Sequence, residues 1–147
     1  GDSKVYIASD HAGFSAKTFI MEKLGALGLS VEDLGPQSDD RVDYPDFADE
    51  VCTKLKLHPE SMGVLVCGSG QGMAMRANKY RHVRAALCWD QASTALSRQH
   101  NKANVLCVGA RLLSEDQLLE IVETFFKTDF EGGRHQARVD KISVPLD

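Results

Sequence analysis

Short apolar runs alternate with amphipathic segments along nearly the whole chain, and this alternation limits the possible folds more than any other feature. Five runs have the length and composition of buried strands, at residues 4–9, 30–34, 62–67, 83–88 and 105–108. Helical patterns follow them at residues 15–27, 46–55, 73–79, 90–99 and 114–126, with a last helix at 134–142. A strand–helix alternation predicts parallel strands joined by right-handed crossovers. We therefore expect an α/β protein with an open, three-layer α/β/α architecture and a five-stranded parallel sheet.

Several predicted helix limits coincide with residues that favour the ends of helices. Pro45 suits a first turn, where a missing N–H costs nothing, and Ser114 suits the capping position of the long helix after the fifth strand. Gly28 stands where the first helix ends, and Gly132 and Gly133 separate the last two helices. The chain shows no internal repeat, low-complexity tract or linker, so we predict a single domain over residues 1–147.

Composition excludes several classes of function. The chain has 147 residues, a net charge of −4 and an isoelectric point near 5.7, which disfavours a nucleic-acid partner. No apolar run approaches the length needed to cross a membrane, and no signal-peptide pattern opens the chain. The four cysteines lack C-x-x-C and zinc-type spacing, which disfavours a disulfide scaffold or a metal site. We expect a cytoplasmic protein with no nucleic-acid partner, membrane partner or metal.

Polar residues at the predicted strand ends are the first candidates for a site, because ligands bind open parallel sheets beyond the carboxyl ends of the strands. Asp10 and His11 follow the first strand, and Arg111 follows the fifth. An Asp–His pair is able to orient a sugar hydroxyl or to move a proton near neutral pH. The alternative is a turn with an exposed histidine.

A glycine-rich loop follows the third strand. Its residues are Cys67, Gly68, Ser69, Gly70, Gln71 and Gly72. Glycines allow the backbone to approach a ligand and direct N–H groups at a phosphate or at a developing oxyanion. The spacing departs from the dinucleotide-binding G-x-G-x-x-G pattern, and no acidic ribose anchor follows about 20 residues later, which disfavours NAD binding.

The four cysteines differ in their predicted surroundings. Cys67 borders the glycine loop, which favours a reactive thiolate. The other three lie within predicted apolar elements and are expected to be buried and inert, as most single cysteines are; they are Cys52, Cys88 and Cys107.

Further candidates follow the fourth predicted helix and open the last one. His100 and Asn101 lie where the fourth helix ends, although a histidine there is also able to interact only with the helix dipole. Arg134 and Arg138 are four residues apart and share one helix face. With Arg111 nearby, these arginines are expected to hold a phosphate through forked hydrogen bonds. The alternative is a surface helix with ordinary ion pairs.

Six segments together resemble one enzyme family over essentially the whole chain. They read SDHAGF (9–14), VDYPDFA (42–48), CGSGQGMAMRANK (67–79), RAALC (84–88), SRQHNKANVLCVGAR (97–111) and EGGRHQARVDKI (131–142). The chain resembles the type B ribose-5-phosphate isomerases, whose family includes galactose-6-phosphate isomerase subunits and allose-6-phosphate isomerase. The resemblance implies a three-layer α/β/α Rossmann-like (flavodoxin-like) fold and isomerisation of a sugar phosphate. It also implies a homodimer, or a dimer of dimers, with active sites between subunits and no metal or organic cofactor.

The resemblance also implies roles for individual residues. Cys67 matches the catalytic base and His100 the residue that opens the furanose ring. Some family members have Ser at position 67 and a Glu base at position 73; the Cys67 and Met73 of this chain resemble the subgroup whose base is cysteine. The positions that match substrate contacts are Asp10, His11, Gly68, Ser69, Gly70, Gln71, Gly72, Asn101, Arg111, Arg134 and Arg138.

The chemistry of the residues agrees with these roles. Isomerisation needs a ring opening and then a proton moved between carbons 2 and 1 through an enediolate, which one base placed over both carbons is able to do. Ser69 is expected to share a proton, and Asp10 with His100 to act at the hydroxyl and the ring oxygen.

Ribose 5-phosphate is the favoured substrate, and three alternatives remain open. The first is a six-carbon sugar phosphate, such as allose 6-phosphate or galactose 6-phosphate. The second is a subunit that needs a paralogous partner for activity. The third is a non-catalytic flavodoxin-like binding module, which would have no use for a cysteine, a histidine and an arginine pair at these positions.

Overall fold

The computed structural model describes residues 4–146 and is built around one parallel sheet of five strands, in the order β2-β1-β3-β5-β4. The ends of the predicted single domain, residues 1–3 and 147, lie outside the described residues. The strands are β1 (Val5–Ser9), β2 (Val31–Asp33), β3 (Met62–Cys67), β4 (Ala85–Leu87) and β5 (Val105–Gly109). The predicted α/β architecture with five parallel strands is therefore confirmed.

Helices cover both faces of the sheet. They are α1 (Phe14–Ala26), α2 (Tyr44–Leu57), α3 (Gln71–Ala77), α4 (Gln91–Gln99), α5 (Glu115–Lys127) and α6 (His135–Ile142). α2 and α3 pack together on one face, while α1 and α4 pack against α5 on the other. Within residues 4–146, every helix is too short or too polar to span a bilayer.

The three central strands are buried on both faces, which explains their continuous apolar sequences. Alternate side chains of each strand enter opposite halves of the core. In β3, Val64 and Val66 face α1 and α5, whereas Leu65 and Cys67 face α2 and α3. The edge strands β2 and β4 have only three residues each, all half-buried.

The predicted elements all exist, with limits that shift by a few residues. Ser114 caps α5 through a capping box with Gln117, as expected, and Pro45 lies in the first turn of α2. That helix extends beyond the predicted 46–55 at both ends, and β4 is shorter than the predicted 83–88. The shorter β4 reflects its edge position, where only β5 pairs with it.

The strand order departs at one point from the flavodoxin order, in which the fifth strand forms the edge. Here β5 lies between β3 and β4, so the chain passes from β3 to the edge and returns inward. From β1 the chain moves first to β2 on one side and then to β3 on the other. The carboxyl ends of β1 and β3 therefore form the switch point, where ligands bind in open sheets.

A buried lysine orders the segment beside this switch point. Lys17 in α1 is 1% exposed, and its ammonium lies 2.8 Å from Asp33 Oδ1 and also donates to the carbonyl oxygen of Pro36. Asp33 Oδ1 also accepts the N–H of Gly35 at 2.8 Å. These bonds connect α1 to the loop that follows β2.

Candidate active site

The carboxyl ends of β1, β3 and β5 bring together Asp10, His11, residues 67–72 and Arg111, which we call the carboxyl-edge cluster. Backbone bonds join its parts: Asp10 N–H donates to the Val66 carbonyl at 3.0 Å, and Arg111 N–H donates to the Gly68 carbonyl at 3.0 Å. The cluster therefore has a fixed geometry at the switch point of the sheet.

Cys67 is the last residue of β3, and its side chain is almost fully buried. Its Sγ atom accepts the backbone N–H of Gly70 at 3.1 Å. A hydrogen bond from a backbone N–H stabilises negative charge on sulfur. The loop thus directs a backbone donor at the sulfur of the cysteine that the sequence marks as reactive.

The glycine loop owes its close packing to missing side chains. Gly70 has φ of 79°, a conformation that L residues rarely adopt, and an added Cβ would lie 2.6 Å from Leu87 Cδ1. At Gly109 an added Cβ would lie 2.7 Å from the Ser69 backbone. These close approaches let the Gly70 N–H reach the sulfur of Cys67.

Asp10 and His11 have defined hydrogen-bond partners. Asp10 is buried, and its Oδ1 accepts the N–H of Gly13 at 3.0 Å. Nδ1 of His11 accepts the N–H of Val42 at 3.3 Å, so neutral His11 carries its proton on Nε2. His11 therefore offers a donor and connects the turn after β1 to the loop that precedes α2.

Two side chains border the glycine loop. The guanidinium of Arg111 lies over Gly68, where an added Cβ would be 3.2 Å from Nη1. The ring of Tyr44 lies against Gly72, where an added Cβ would be 2.5 Å from Cε1. Arg111 thus lies where the sequence places it, whereas Tyr44 was not among the candidate residues.

The remaining predicted site residues lie at the opposite edge of the sheet. α4 returns the chain from the end of β4 to the start of β5, so His100 and Asn101 lie beside the amino ends of these parallel strands. The Asn104 N–H donates to the Arg84 carbonyl just before β4, which anchors this end. β5 separates the two edges by about 13 Å.

One chain does not bring all of these residues together. His100 does not lie beside Asp10, and Arg134 and Arg138 do not lie beside Arg111, because α4 ends at the amino edge of the sheet and the start of α6 packs there through the contact of His135 with His100. Arg134 and Arg138 are both exposed, and neither forms an ion pair within residues 4–146. The candidate site consists of two separate halves in each chain.

His100 contacts two side chains for which the sequence suggested no role. Its ring stacks on that of His135, with centroids 4.3 Å apart and planes inclined by 14°. Glu131 Oε1 lies 3.8 Å from His100 Nε2 and 3.5 Å from His135 Nε2. Burial and the proximity of His100 lower the pKa of His135 from its ordinary value of 6.5.

These three side chains have donor types that bind transition metals and lie within 4.8 Å of one another. The lone pair of an imidazole nitrogen lies in the plane of its ring. In two nearly parallel stacked rings these lone pairs run side by side and do not converge on one ion. The arrangement therefore does not favour coordination of a metal by the two rings together.

All four cysteines are free and buried. Burial raises the pKa of Cys52 to about 12, and it also raises the pKa of Cys88 and Cys107. These thiols are protonated at neutral pH and therefore poor nucleophiles. The prediction that Cys52, Cys88 and Cys107 are buried and inert agrees with this.

The sequence contained weak signals for the residues that were missed. Glu131 and His135 are four residues apart, a spacing that places both on one side of a helical turn. No local pattern linked them to His100, which is more than 30 residues away. Tyr44 precedes a proline and reads as an ordinary loop residue.

Known proteins match this chain over nearly its full length. The ribose/galactose isomerase family model matches residues 5–142. A probable ribose-5-phosphate isomerase B from Mycoplasma genitalium is 46% identical over 140 residues, which cover 94% of this chain and 92% of that protein. Ribose-5-phosphate isomerase B of Escherichia coli K12 is 39% identical over 141 residues, covering 96% of this chain and 95% of the relative.

A solved structure agrees with the fold in detail. The crystal structure of ribose-5-phosphate isomerase B from Mycoplasma genitalium with bound ribulose 5-phosphate superposes with a TM-score of 0.93. Its sequence is 45% identical, and the match covers 97% of this chain and 95% of that one.

Proposed function

This chain belongs to the ribose/galactose isomerase family, and from this we propose that it is an aldose–ketose isomerase that interconverts ribose 5-phosphate and ribulose 5-phosphate. The observation that carries the proposal is the buried Cys67 thiol, which accepts the Gly70 N–H at the switch point of the sheet. The ribulose 5-phosphate bound to the Mycoplasma genitalium relative supports the choice of a pentose phosphate.

The proton transfer is assigned to Cys67. Its thiolate removes the proton from carbon 2 of the open-chain aldose, and the electrons move into an enediolate. The same sulfur then delivers the proton to carbon 1, because one base above both carbons serves both steps. Ser69 shares a proton between the oxygens on carbons 1 and 2. All of these steps use side chains of the protein, so the proposal requires no cofactor.

The negative oxygen of the enediolate requires donors that are already oriented. This stabilisation is assigned to the backbone N–H groups of residues 68–72, and the Gly70 N–H already donates to Cys67 Sγ at 3.1 Å in support of it. The contributing residues are Gly68, Ser69, Gly70, Gln71 and Gly72. His11 offers its Nε2–H to a sugar hydroxyl on the same side.

Ring opening is assigned to His100 and Asp10. Imidazolium of His100 gives its proton to the furanose ring oxygen as the bond from that oxygen to carbon 1 breaks. The Asp10 carboxylate accepts the proton of the carbon 1 hydroxyl, so a carbonyl forms. Both protons return through solvent after the cycle. Asn101 contacts the substrate beside His100.

Phosphate binding is assigned to Arg134, Arg138 and Arg111. The first two are exposed and free of ion pairs within the described chain, so their guanidinium groups are available to a phosphate. Because the phosphate lies far from the reacting carbons, the arginines that bind it hold the sugar in position and take no part in the proton transfers.

We propose that each complete site forms between two copies of the chain. Cys67 and His100 lie at opposite edges of the sheet, so one chain supplies only half of the assigned chemistry. A groove of about 820 Å³ beside Asn101 is lined by residues of α6 and the segment after it, and three exposed apolar side chains there suit a second copy. These are Ile142, Val144 and Leu146. A homodimer satisfies this arrangement, and a dimer of dimers would repeat it.

The compartment and the metabolic setting are part of the same proposal. Four free buried thiols suit a reducing compartment, which supports the cytoplasm. Interconversion of these two sugars belongs to the pentose phosphate pathway.

The direct test is incubation of the protein with ribose 5-phosphate and, separately, with allose 6-phosphate, followed by NMR of ketose formation. We expect rapid conversion of the pentose and little conversion of the hexose. Conversion of the hexose alone would show that the substrate is a six-carbon sugar phosphate. If neither sugar is converted, the proposal that this protein is active without a paralogous partner would be contradicted.

A further inference from the structure

His100, Glu131 and His135 form a compact group that we call the histidine stack. The two imidazole rings are nearly parallel at 4.3 Å, and the same carboxylate oxygen of Glu131 faces both Nε2 atoms, at 3.8 and 3.5 Å. His135 is nearly buried, whereas His100 remains partly exposed. Only one ring of the pair is therefore open to a substrate.

The chain holds this group in place through several contacts outside it. The N–H of Glu131 donates to the Gln99 carbonyl at 3.1 Å, which ties the segment before α6 to the end of α4. Arg98 Nε donates to the Thr128 carbonyl at 3.1 Å. The Lys102 ammonium lies 5.6 Å from the centre of the Phe130 ring. The stack is thus part of the connection between α4 and α6 and not a chance approach of two surface rings.

Charge determines how the group holds a proton. Two stacked imidazolium ions would repel each other, and Arg134 and Arg138 add to the positive charge around His135, while Glu131 opposes it. Burial and these cations lower the pKa of His135, so this ring is neutral at neutral pH. His100 is the more exposed ring of the pair, and the carboxylate of Glu131 lies beside it as a counter-charge.

We propose that Glu131 and His135 are positioning residues that hold the imidazole of His100 in one orientation for proton transfer to the furanose ring oxygen. This inference rests on the proposed function, because it gives His100 the ring-opening role. The flat face of His135 fixes the plane of the His100 ring, and Glu131 stabilises the imidazolium that donates. Neither residue needs to touch the sugar.

With ribulose 5-phosphate as the substrate, the proton transfer at carbon can be measured separately from the ring step. It is an open-chain sugar, because its O5 carries the phosphate and closure through O4 would form a four-membered ring. In D₂O, exchange of its carbon 1 hydrogen reports the enediolate step alone. Net conversion to ribose 5-phosphate also includes ring closure on the enzyme. The ratio of exchange to conversion, measured by NMR, therefore isolates the contribution of His100.

The test compares His135→Ala, His135→Phe and Glu131→Gln with wild type, and uses Glu120→Gln on the exposed surface of α5 as the matched carboxylate control. We expect His135→Ala and Glu131→Gln to raise the ratio of exchange to conversion by about tenfold or more, because a misplaced catalytic group loses rate steeply. His135→Phe keeps the flat partner and should restore much of the conversion. Glu120→Gln should leave the ratio unchanged.

Other outcomes identify which idea fails. An unchanged ratio in both His135→Ala and Glu131→Gln would overturn the positioning roles, whether or not both rates fall together. Because Glu131 is half exposed, Glu131→Gln is expected to fold even if the cavity left by His135→Ala prevents that variant from folding. Absence of both exchange and conversion in the wild-type protein would instead contradict the proposed function itself.

Discussion

At the scale of single residues, the glycine loop shows how a missing side chain creates a site. The Gly70 N–H reaches Cys67 Sγ because Gly70 adopts a φ of 79° in contact with Val108 and Leu87. The sequence predicted the loop and its anionic preference from the spacing of glycines. It could not predict which N–H faces the sulfur, because that depends on the packing of β3 against β5.

Gly70→Ala is expected to lower the free energy of unfolding by about 2–4 kcal/mol, since a strained backbone and a steric clash combine. Chemical denaturation followed by circular dichroism measures the loss. Gly28→Ala is the matched control: Gly28 also has a positive φ, but an added Cβ there meets nothing within 4 Å. It should cost only about 1 kcal/mol. Equal losses in the two variants would contradict the role of close packing at Gly70.

Cys67→Ala is expected to reduce kcat for ribose 5-phosphate by about 10²- to 10⁴-fold, the usual contribution of a general base. KM should change little, because the phosphate contacts remain. Steady-state kinetics of ketose formation checks this. Cys88→Ala removes another buried thiol and should leave kcat within about twofold, since surface and core changes away from the site act on stability. Retained turnover in Cys67→Ala would remove the cysteine base from the mechanism.

At the scale of helices and strands, capping and ion pairs decide where helices end and how they pack. The capping box at the start of α5 was predictable, because Ser114 and Gln117 have the local spacing for it. The contact between α2 and α3 was not predictable. It joins Asp49 to Arg76, which are far apart in sequence.

Ser114→Ala is expected to lower the free energy of unfolding by about 1 kcal/mol, because the N–H of Gln117 loses its acceptor at 3.2 Å. Urea denaturation at neutral pH measures the change. Ser15→Ala, an exposed position within α1, provides the comparison and should be close to neutral. A loss at Ser15 equal to that at Ser114 would show that the cap contributes nothing of its own.

Asp49 gives the pairing of α2 with α3 a dependence on pH. It accepts hydrogen bonds from Arg76 at 2.8 and 3.0 Å and from the Tyr80 hydroxyl at 2.7 Å. The hydrogen bond from Arg76 is the main cause that lowers the pKa of Asp49 below its ordinary 3.8. Burial and Asp49 raise the pKa of Tyr80 to about 12, so its hydroxyl stays a donor.

A lowered pKa in the folded state contributes stability above the unfolded value, and this contribution disappears as pH falls through the folded value. We therefore expect Asp49→Asn to be less stable than wild type at pH 7 and 5, with the difference narrowing below about pH 4. Urea denaturation at several pH values tests this. Asp39→Asn, in an exposed loop, is the control, and its free energy of unfolding should follow that of the wild type at every pH. A constant difference for Asp49→Asn down to pH 2 would contradict the ion pair as its cause.

At the scale of the whole molecule, the sheet separates residues that the proposed chemistry requires together. Each chain carries Cys67 at one edge and His100 at the other, so two chains in reciprocal orientation would complete two sites. This arrangement leads to a prediction about mixed subunits.

Cys67→Ala and His100→Ala chains, each inactive alone, are expected to regain activity when they are denatured together and refolded as a mixture. Random pairing makes about half of the dimers mixed, each with one intact site of two, so about a quarter of wild-type activity should return. Ketose formation after mixing, with each variant refolded alone as the control, measures the recovery. No recovery in a mixture that has formed dimers by size-exclusion chromatography would show that each site is complete within one chain.

The sequence by itself determined the elements of this protein and most of the residues of its candidate site. Apolar runs, capping residues and glycine spacing act over a few neighbouring positions, so they can be interpreted locally. The strand order, the buried Lys17 and the stack of His100 on His135 depend on contacts between distant segments, and only the tertiary structure decided them. The separation of Cys67 from His100 is implicit in the parallel strand–helix alternation, because α4 must return the chain to the amino edge of the sheet. The contacts of His100 with Glu131 and His135 were not, because they join side chains more than 30 residues apart.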